Sequence, residues 1–344
     1  MKIRKEFHAY LLFPLALFYW GLIYWRNLFY KYGFFVSRRL PCVVISIGNI
    51  TVGGTGKTPM VIHLAQYLQS IGKHVAILSR GYGRNTTGTV FVSDGNTILR
   101  SWEESGDEPY LMAKKCPTVP IVVDEDRYRG GLFLMEQCSP DVVLLDDGFQ
   151  HRAIERDLDL VLINSNESKY DHKLLPYGML REPWQNIHRS NALILTKTNL
   201  NRAAPFLKRK LKESKQPIFQ STIDISQSSM SPTVLSSLEN TSCFLFSAIG
   251  DANSFSTGIK SLGCKIVAEQ HFPDHFHYSE SSLNKLNQSL FNSDADVGIT
   301  TEKDWVKIES YSFDKPIVVV GIEVGITPMN KFTSFLKTAT QAIQ

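Results

Sequence analysis

A lysine and a threonine directly after a glycine-rich turn are the first residues here whose order suggests chemistry. Residues 43–68 read VVISIGNITVGGTGKTPMVIHLAQYL. Gly53, Gly54 and Gly56 let the backbone turn its N–H groups toward a polyphosphate, while Lys57 offers an ammonium for the phosphates and Thr58 a hydroxyl for Mg²⁺. Thr51, Val52, Gly53, Gly54, Thr55, Gly56, Lys57 and Thr58 thus form a candidate nucleoside-triphosphate site. Thr51 stands where the pattern G-x-x-x-x-G-K-[ST] has its first glycine. Val52 stands where dimerising ATPases with G-K-G-G-x-G-K-T loops carry a second lysine, which argues against that class.

Carboxylates form the second candidate group. Residues 141–151, DVVLLDDGFQH, read as a hydrophobic strand ending in Asp146 and Asp147. Mg²⁺ takes oxygen ligands and keeps waters, so acids at a strand's carboxyl end beside a phosphate loop suit it. Asp107 and Glu108, in SGDEPYL, open an expected helix, either as first-turn acids favoured by its dipole or as carboxylates near a metal. Asp274, His275 and His277 lie in FPDHFHY; Glu302, Lys303 and Asp304 lie in TTEKDW.

Cations complete the set. Arg80 and Arg84 follow a strand in VAILSRGYGR, where α/β sheets present ligand groups, and could meet phosphate. Arg127 and Arg129 belong to DEDRYRG with Asp124 and Asp126. LLPYGMLREPW, residues 174–184, is punctuated by proline and glycine; Arg181 and Glu182 are charged residues in an apolar loop that could be a lid or an acceptor surface. Lys197-Thr198-Asn199, preceded by Thr196, lacks the outer residues of a guanine-reading Asn-Lys-x-Asp, so ATP is expected rather than GTP.

These groups must be positioned by alternating strands and helices. Val43, Val44, Ile45 and Ile47 suit a strand buried on both faces, and Met60, Leu64 and Leu68 form the inward stripe of the next helix, with Pro59 in its first turn. Further strands are expected at 75–78, 120–123, 157–163, 192–196, 243–249, 265–272, 297–300 and 317–320, with helical segments between, so both halves read as α/β. No glycine-rich fingerprint recurs in the second half. At 344 residues the chain has length for two domains, and 43% hydrophobic with 20% charged residues is a folded composition. The five cysteines are widely spaced without a C-x-x-C pair, which fits reduced thiols and gives no zinc spacing.

The net charge of +4 is uneven: residues 1–40 contribute +6 and the rest −2. Residues 7–25 carry no formal charge and are flanked by Lys2, Arg4, Lys5 and Arg26, Lys31, Arg38, Arg39. As a helix this run is roughly 28 Å long, just short of a hydrocarbon core. A cleaved signal peptide lacks its small-residue site, and a true span is marginal with Pro14 and Gly21 inside. A buried core helix is the plain alternative. A helix lying in a membrane interface is the reading preferred here, for the rings of Tyr10, Tyr19, Trp20, Tyr24 and Trp25 suit headgroup level and the basic flanks attract anionic lipid.

With TVGGTGKT, SRGYGR, GDEPYL, LLDDGFQH, LLPYGMLREP, FPDHFHY and TTEKDW in order, the chain resembles the tetraacyldisaccharide 4'-kinases, the lipid A 4'-kinases of Gram-negative bacteria. The resemblance implies transfer of the γ-phosphate of ATP, with Mg²⁺, to the 4'-hydroxyl of a tetraacylated disaccharide 1-phosphate at the cytoplasmic face of the inner membrane. It implies two α/β/α lobes: residues 37–215 a phosphate-loop kinase domain with a mostly parallel sheet, 216–344 a smaller α/β domain, and 1–36 a membrane-associated helix. Residue by residue, it implies Thr58, Glu108, Asp146 and Asp147 for the metal, and Asp107, His275 and Lys57 for catalysis. Arg80, Arg127, Gln150, His151 and Arg181 are implied for substrate. The Asp107 and His275 pair is expected to form as the lobes approach over both substrates. The expected partners are the lipid substrate and the membrane surface, with no nucleic acid and no obligate protein. Two other readings are a membrane-tethered phosphate-loop ATPase acting as a switch or chaperone, and a kinase of a soluble sugar.

Overall fold

The computed structural model describes residues 2–341, with side chains from 12 to 338. Lys2, Arg4, Lys5 and Tyr10, named above for the membrane reading, have side chains outside that range. The chain opens with α1 (Lys2–Lys31), longer than the charge-free run, with Pro14 inside it. Then β1 (Val43–Asn49), α2 (Lys57–Ser70), β2 (Val75–Ser79), β3 (Val90–Asp94), α3 (Trp102–Ser105), α4 (Asp107–Lys115), β4 (Pro120–Val123), α5 (Arg127–Cys138) and β5 (Val142–Asp146) follow. β6 (Leu158–Asn164), β7 (Ala192–Thr196), α6 (Pro205–Lys212) and β8 (Ile218–Gln227) lead into the second half. That half adds β9 (Ser242–Ser247), α7 (Ala252–Ser261), β10 (Lys265–His271), α8 (Glu280–Phe291), β11 (Val297–Thr301), α9 (Glu302–Ile308), β12 (Ile317–Thr327) and α10 (Met329–Gln341).

All the named strands join one mixed sheet in the order β10-β9-β11-β12-β8-β7-β6-β1-β5-β2-β4-β3. Pairing is parallel except between β3 and β4 and between β8 and β12. β1 lies between β5 and β6, every one of its residues buried, as Val43, Val44, Ile45 and Ile47 predict for a strand covered on both faces. Edge strand β10 instead alternates between exposed and half-buried residues.

Two strands were not expected. β3 is a short antiparallel edge strand, and β8 pairs with a β12 that runs seven residues beyond the expected Val320. The β8 and β12 ribbon is the seam where the two halves of the sheet meet. Across the same seam α4 packs on α9, with Lys115 2.7 Å from Glu302 and Lys114 3.2 Å from Glu309. The cysteines are free, as expected, and all but Cys138 are buried.

Candidate active site

β1 ends at Asn49, and the chain turns through residues 50–56 into α2. Gly53 (φ 116°) and Gly56 (φ 87°), the N-cap of α2, take left-handed backbone that a side chain disfavours. Thr51 does not need that freedom. It is 2% exposed, bridges to Leu180, and its hydroxyl donates to Glu167 Oε1 at 2.8 Å. Glu167 in turn accepts from His172 Nε2 at 2.7 Å. The position that usually holds glycine is therefore pinned by a buried side-chain hydrogen bond.

Asn49 links this anchor to the lysine. Its Nδ2 donates to Thr51 O at 2.6 Å, and its Oδ1 accepts from Lys57 Nζ at 3.2 Å. Lys57 Nζ also lies 3.6 Å from Asp147 Oδ1. Sequence reasoning missed Asn49, because a polar residue ending a buried strand is ordinary until its two partners are seen.

Asp146 closes β5 and is 3% exposed. Ser79 donates to its Oδ2 at 2.7 Å, while its Oδ1 is buried without a partner. Burial, then the charges of Glu108 and Asp147, push its carboxyl up to about 7. A carboxylate with one unsatisfied buried oxygen and a raised proton affinity is what a cation would relieve. Asp147, at φ 48°, points into the cleft with its side chain 33% exposed. Burial raises its carboxyl, but Lys57, Arg181 and Arg127 outweigh this and hold it below the usual range. Arg181 Nη1 donates to both Asp147 oxygens, at 2.8 and 3.0 Å, and to Gln150 Oε1 at 3.2 Å. Gln150 Nε2 donates to Asn49 O at 2.8 Å.

Asp107 and His275, 168 residues apart, are already together. His275 Nδ1 donates to Asp107 at 3.0 and 3.1 Å, so no approach of lobes is required to form the pair. Asp107 is 6% exposed and sits behind His275, which is on the cleft wall at φ 58°. Burial raises Asp107, but the bond from His275 and the charges of Lys303 and Lys307 bring it below its ordinary value. Burial lowers His275, but Asp107 overrides this and raises it. His277 instead lies against Trp102, ring centroids 5.2 Å apart.

Lys303 ties the wall together and was not foreseen as a site residue. Its Nζ lies 3.1 Å from Glu108, 3.2 Å from Asp274 and 3.3 Å from His275 Nε2. Glu108 is thus held by a cation, and among the described residues no three acids, histidines or cysteines gather around one metal position. Thr58 and Asp146 remain suited to a Mg²⁺ completed by water and phosphate oxygens.

A cleft of about 850 Å³ joins these groups, lined by residues 52–59, Arg80, Glu108, Asp146, Asp147, Gln150, Arg181 and His275. Ile223, Ile225, Val320 and Ile322 of the ribbon supply an apolar wall. Arg127 and His151 are not on the lining. Arg127 is buried behind Asp146 with its Nε unpartnered, and burial, then Arg127, draws His151 down to about 4. Arg84 is not available to phosphate either, being paired with Glu125 and the carbonyls of Val123 and Gly88. Lys197, at φ 59°, pairs with Asp251, and Asn199 is spent on both backbone groups of Ile223, so neither reads a base.

Known proteins resemble this chain over most of its length. The profile of the Tetraacyldisaccharide-1-P 4'-kinase family matches residues 8–341. The tetraacyldisaccharide 4'-kinase of Aquifex aeolicus is 39% identical over 300 residues, covering 87% of this chain and 90% of that one. That of Syntrophus aciditrophicus is 38% identical over 347 residues, covering 96% and 92%. The crystal structure of the "apo" form of LpxK from Aquifex aeolicus in complex with ATP superposes with a TM-score of 0.80 at 36% identity, over 96% of this chain and 99% of that one. The chain belongs to the tetraacyldisaccharide 4'-kinase family.

Proposed function

We propose that this kinase transfers the γ-phosphate of ATP to the 4'-hydroxyl of a tetraacylated disaccharide 1-phosphate within the cleft between residues 52–59 and His275. The observation that carries the proposal is the Asp107 and His275 pair, drawn from distant parts of the chain to the wall of the cleft that also holds the phosphate loop. A switch that uses water has no evident need of it.

In this reading residues 51–58 hold the triphosphate by backbone N–H groups, with Lys57 leaving Asn49 and Asp147 for the transferring phosphoryl. Thr58, Asp146 and Asp147 would hold Mg²⁺, with Glu108 nearby once released from Lys303. Bound there, the ion would neutralise charge developing between the phosphates. Asp107 and His275 act as one acid-base unit: His275 fronts the cleft, while Asp107 fixes its orientation and favours its protonated form as the hydroxyl proton leaves. Arg80, Gln150 and Arg181 steady phosphate or acceptor from the cleft wall, and Arg127 and His151 support them from behind. Residues 37–215 and 216–344 serve as the two lobes.

Among the described residues no helix is long and apolar enough to cross a membrane. α1 nevertheless exposes Phe13, Leu17, Phe18, Trp20, Leu22, Tyr24 and Trp25 around the part of its surface not turned inward. A cytoplasmic membrane surface, where an acceptor with several acyl chains resides, is what such a face suits.

The test is γ-labelled ATP with purified enzyme, the acylated disaccharide dispersed in detergent, and its de-acylated counterpart. Label is expected in the acylated acceptor. Label released only as inorganic phosphate, at a rate indifferent to either sugar, would favour the ATPase reading instead.

A further inference from the structure

The inward face of α1 reaches the active site. Ala16 and Ile23 are buried on that face, and Tyr19 and Arg26, each three residues further on, extend the same helical stripe. The Tyr19 hydroxyl donates to Arg181 O at 2.7 Å, and Arg26 Nη2 lies 2.8 Å from Glu182 Oε1. Arg181 and Glu182 are neighbours in the loop after Gly178. From the other side, Arg181 N donates to Ile50 O at 2.8 Å, at the mouth of the phosphate loop. The main chain of Arg181 is therefore held at both of its polar groups while its guanidinium grips Asp147.

Glu182 makes this hold hard to relax. Its side chain is fully buried and also meets Arg189 at 3.0 Å and Asn186 at 2.7 Å. Removing Arg26 would leave this buried carboxylate to Arg189 and Asn186 with one charged partner fewer, so the loop is tied to α1 by more than contact area.

We propose that Tyr19, Arg26 and Glu182 are positioning residues for phosphoryl transfer: α1 sets the main chain of Arg181, and through it the placement of Asp147. This rests on the proposed roles of Arg181 and Asp147 but is independent of whether α1 meets a membrane. It gives α1 a task at the active site besides the one proposed for its exposed side chains, and it implies that deleting α1 would disturb the nucleotide site. Without the helix, Glu182 loses Arg26 and Arg181 loses its carbonyl anchor.

The experiment uses the full chain with detergent-dispersed acylated disaccharide, and flotation with vesicles containing phosphatidylglycerol as the control for surface binding. Tyr19→Phe removes one oxygen and keeps the ring. Its kcat should fall about fivefold, the scale of one hydrogen bond, with KM for ATP and vesicle flotation unchanged. Arg26→Lys, which keeps the charge but loses the planar fork, should act in the same direction. In an Arg181→Ala background Tyr19→Phe should cost nothing more, because its effect runs through Arg181. Normal kcat in Tyr19→Phe beside a crippled Arg181→Ala would overturn the positioning alone, as would a full fivefold loss that persists in the Arg181→Ala background. Normal turnover in Arg181→Ala would overturn both the positioning and the site reading beneath it. Lost flotation with unchanged kcat would make these residues part of the surface anchor and refute the proposal.

Discussion

Two pairs of adjacent acids, Asp146 with Asp147 and Asp107 with Glu108, stand beside the same cleft and are satisfied in opposite ways. Asp146 keeps a bare buried oxygen and is pushed toward protonation, whereas Asp107 is bonded by His275 and held ionised. Asp147 is claimed by Arg181 and Lys57, and Glu108 by Lys303. Identical side chains thus acquire different chemistry from their partners. An incomplete shell suits a cation, and a completed one suits moving a proton.

The largest effect should come from the completed pair. Asp107→Ala is expected to lower kcat by about 10² to 10⁴, the usual share of acid-base catalysis, with KM for ATP little changed. Adding His275→Ala should do no further harm if the two act as a unit; multiplicative losses would break the pairing into independent roles. Next is Lys57→Ala, whose loss of about 10² to 10³ in kcat reflects one removed electrostatic donor. Near-normal transfer there would detach the phosphate loop from the chemistry. Asp146→Asn should raise the Mg²⁺ concentration needed for half-maximal rate by about tenfold or more, and Asp107→Asn should leave it unchanged. Equal shifts in both variants would erase the distinction drawn here.

The smallest effect is on stability, and its sign differs between the acids. Asp146 has a folded value raised from 3.8 to about 7, so the native state binds the proton more tightly and stability falls as pH rises between those values. Asp107 is depressed below 3.8, so its contribution is present above that value and is lost as pH falls through the folded one. Asp146→Asn should flatten the decline in Tm between pH 4 and 7 by a few degrees, on the order of 1 kcal/mol. Asp107→Asn should lower Tm above pH 4, with the deficit shrinking on acidification. The reverse pattern would exchange the two assignments.

Much of the first half was legible because its signals are local. A β-branched run buried on both faces, three glycines, and acids ending a strand each declare themselves within about ten residues, and they fell where expected. The ribbon did not, because the strand that β8 pairs with lies about a hundred residues away. The roles of Asn49, Glu167 and Lys303 depend on side chains far apart in sequence, so no spacing could reveal them. Arg84 erred for the converse reason: an arginine beside a glycine turn reads as a phosphate ligand until Glu125 is found against it. Thr51 shows the same limit, since the hydrogen bond that replaces glycine's role is made 116 residues later.

The ribbon has a mechanical consequence. Because β7, β8 and β12 continue the same hydrogen-bonded sheet from one half into the other, the cleft is backed by paired strands and not by a loose linker. Antiparallel ribbons accept added twist more readily than wide sheets do. Any twist of one half against the other would have to pass through β8 and β12, whose Ile223, Ile225, Val320 and Ile322 line the cleft. Together with the packing of α4 on α9 and the bond between Asp107 and His275, this pair of strands holds the Lys57 wall and the His275 wall at one spacing.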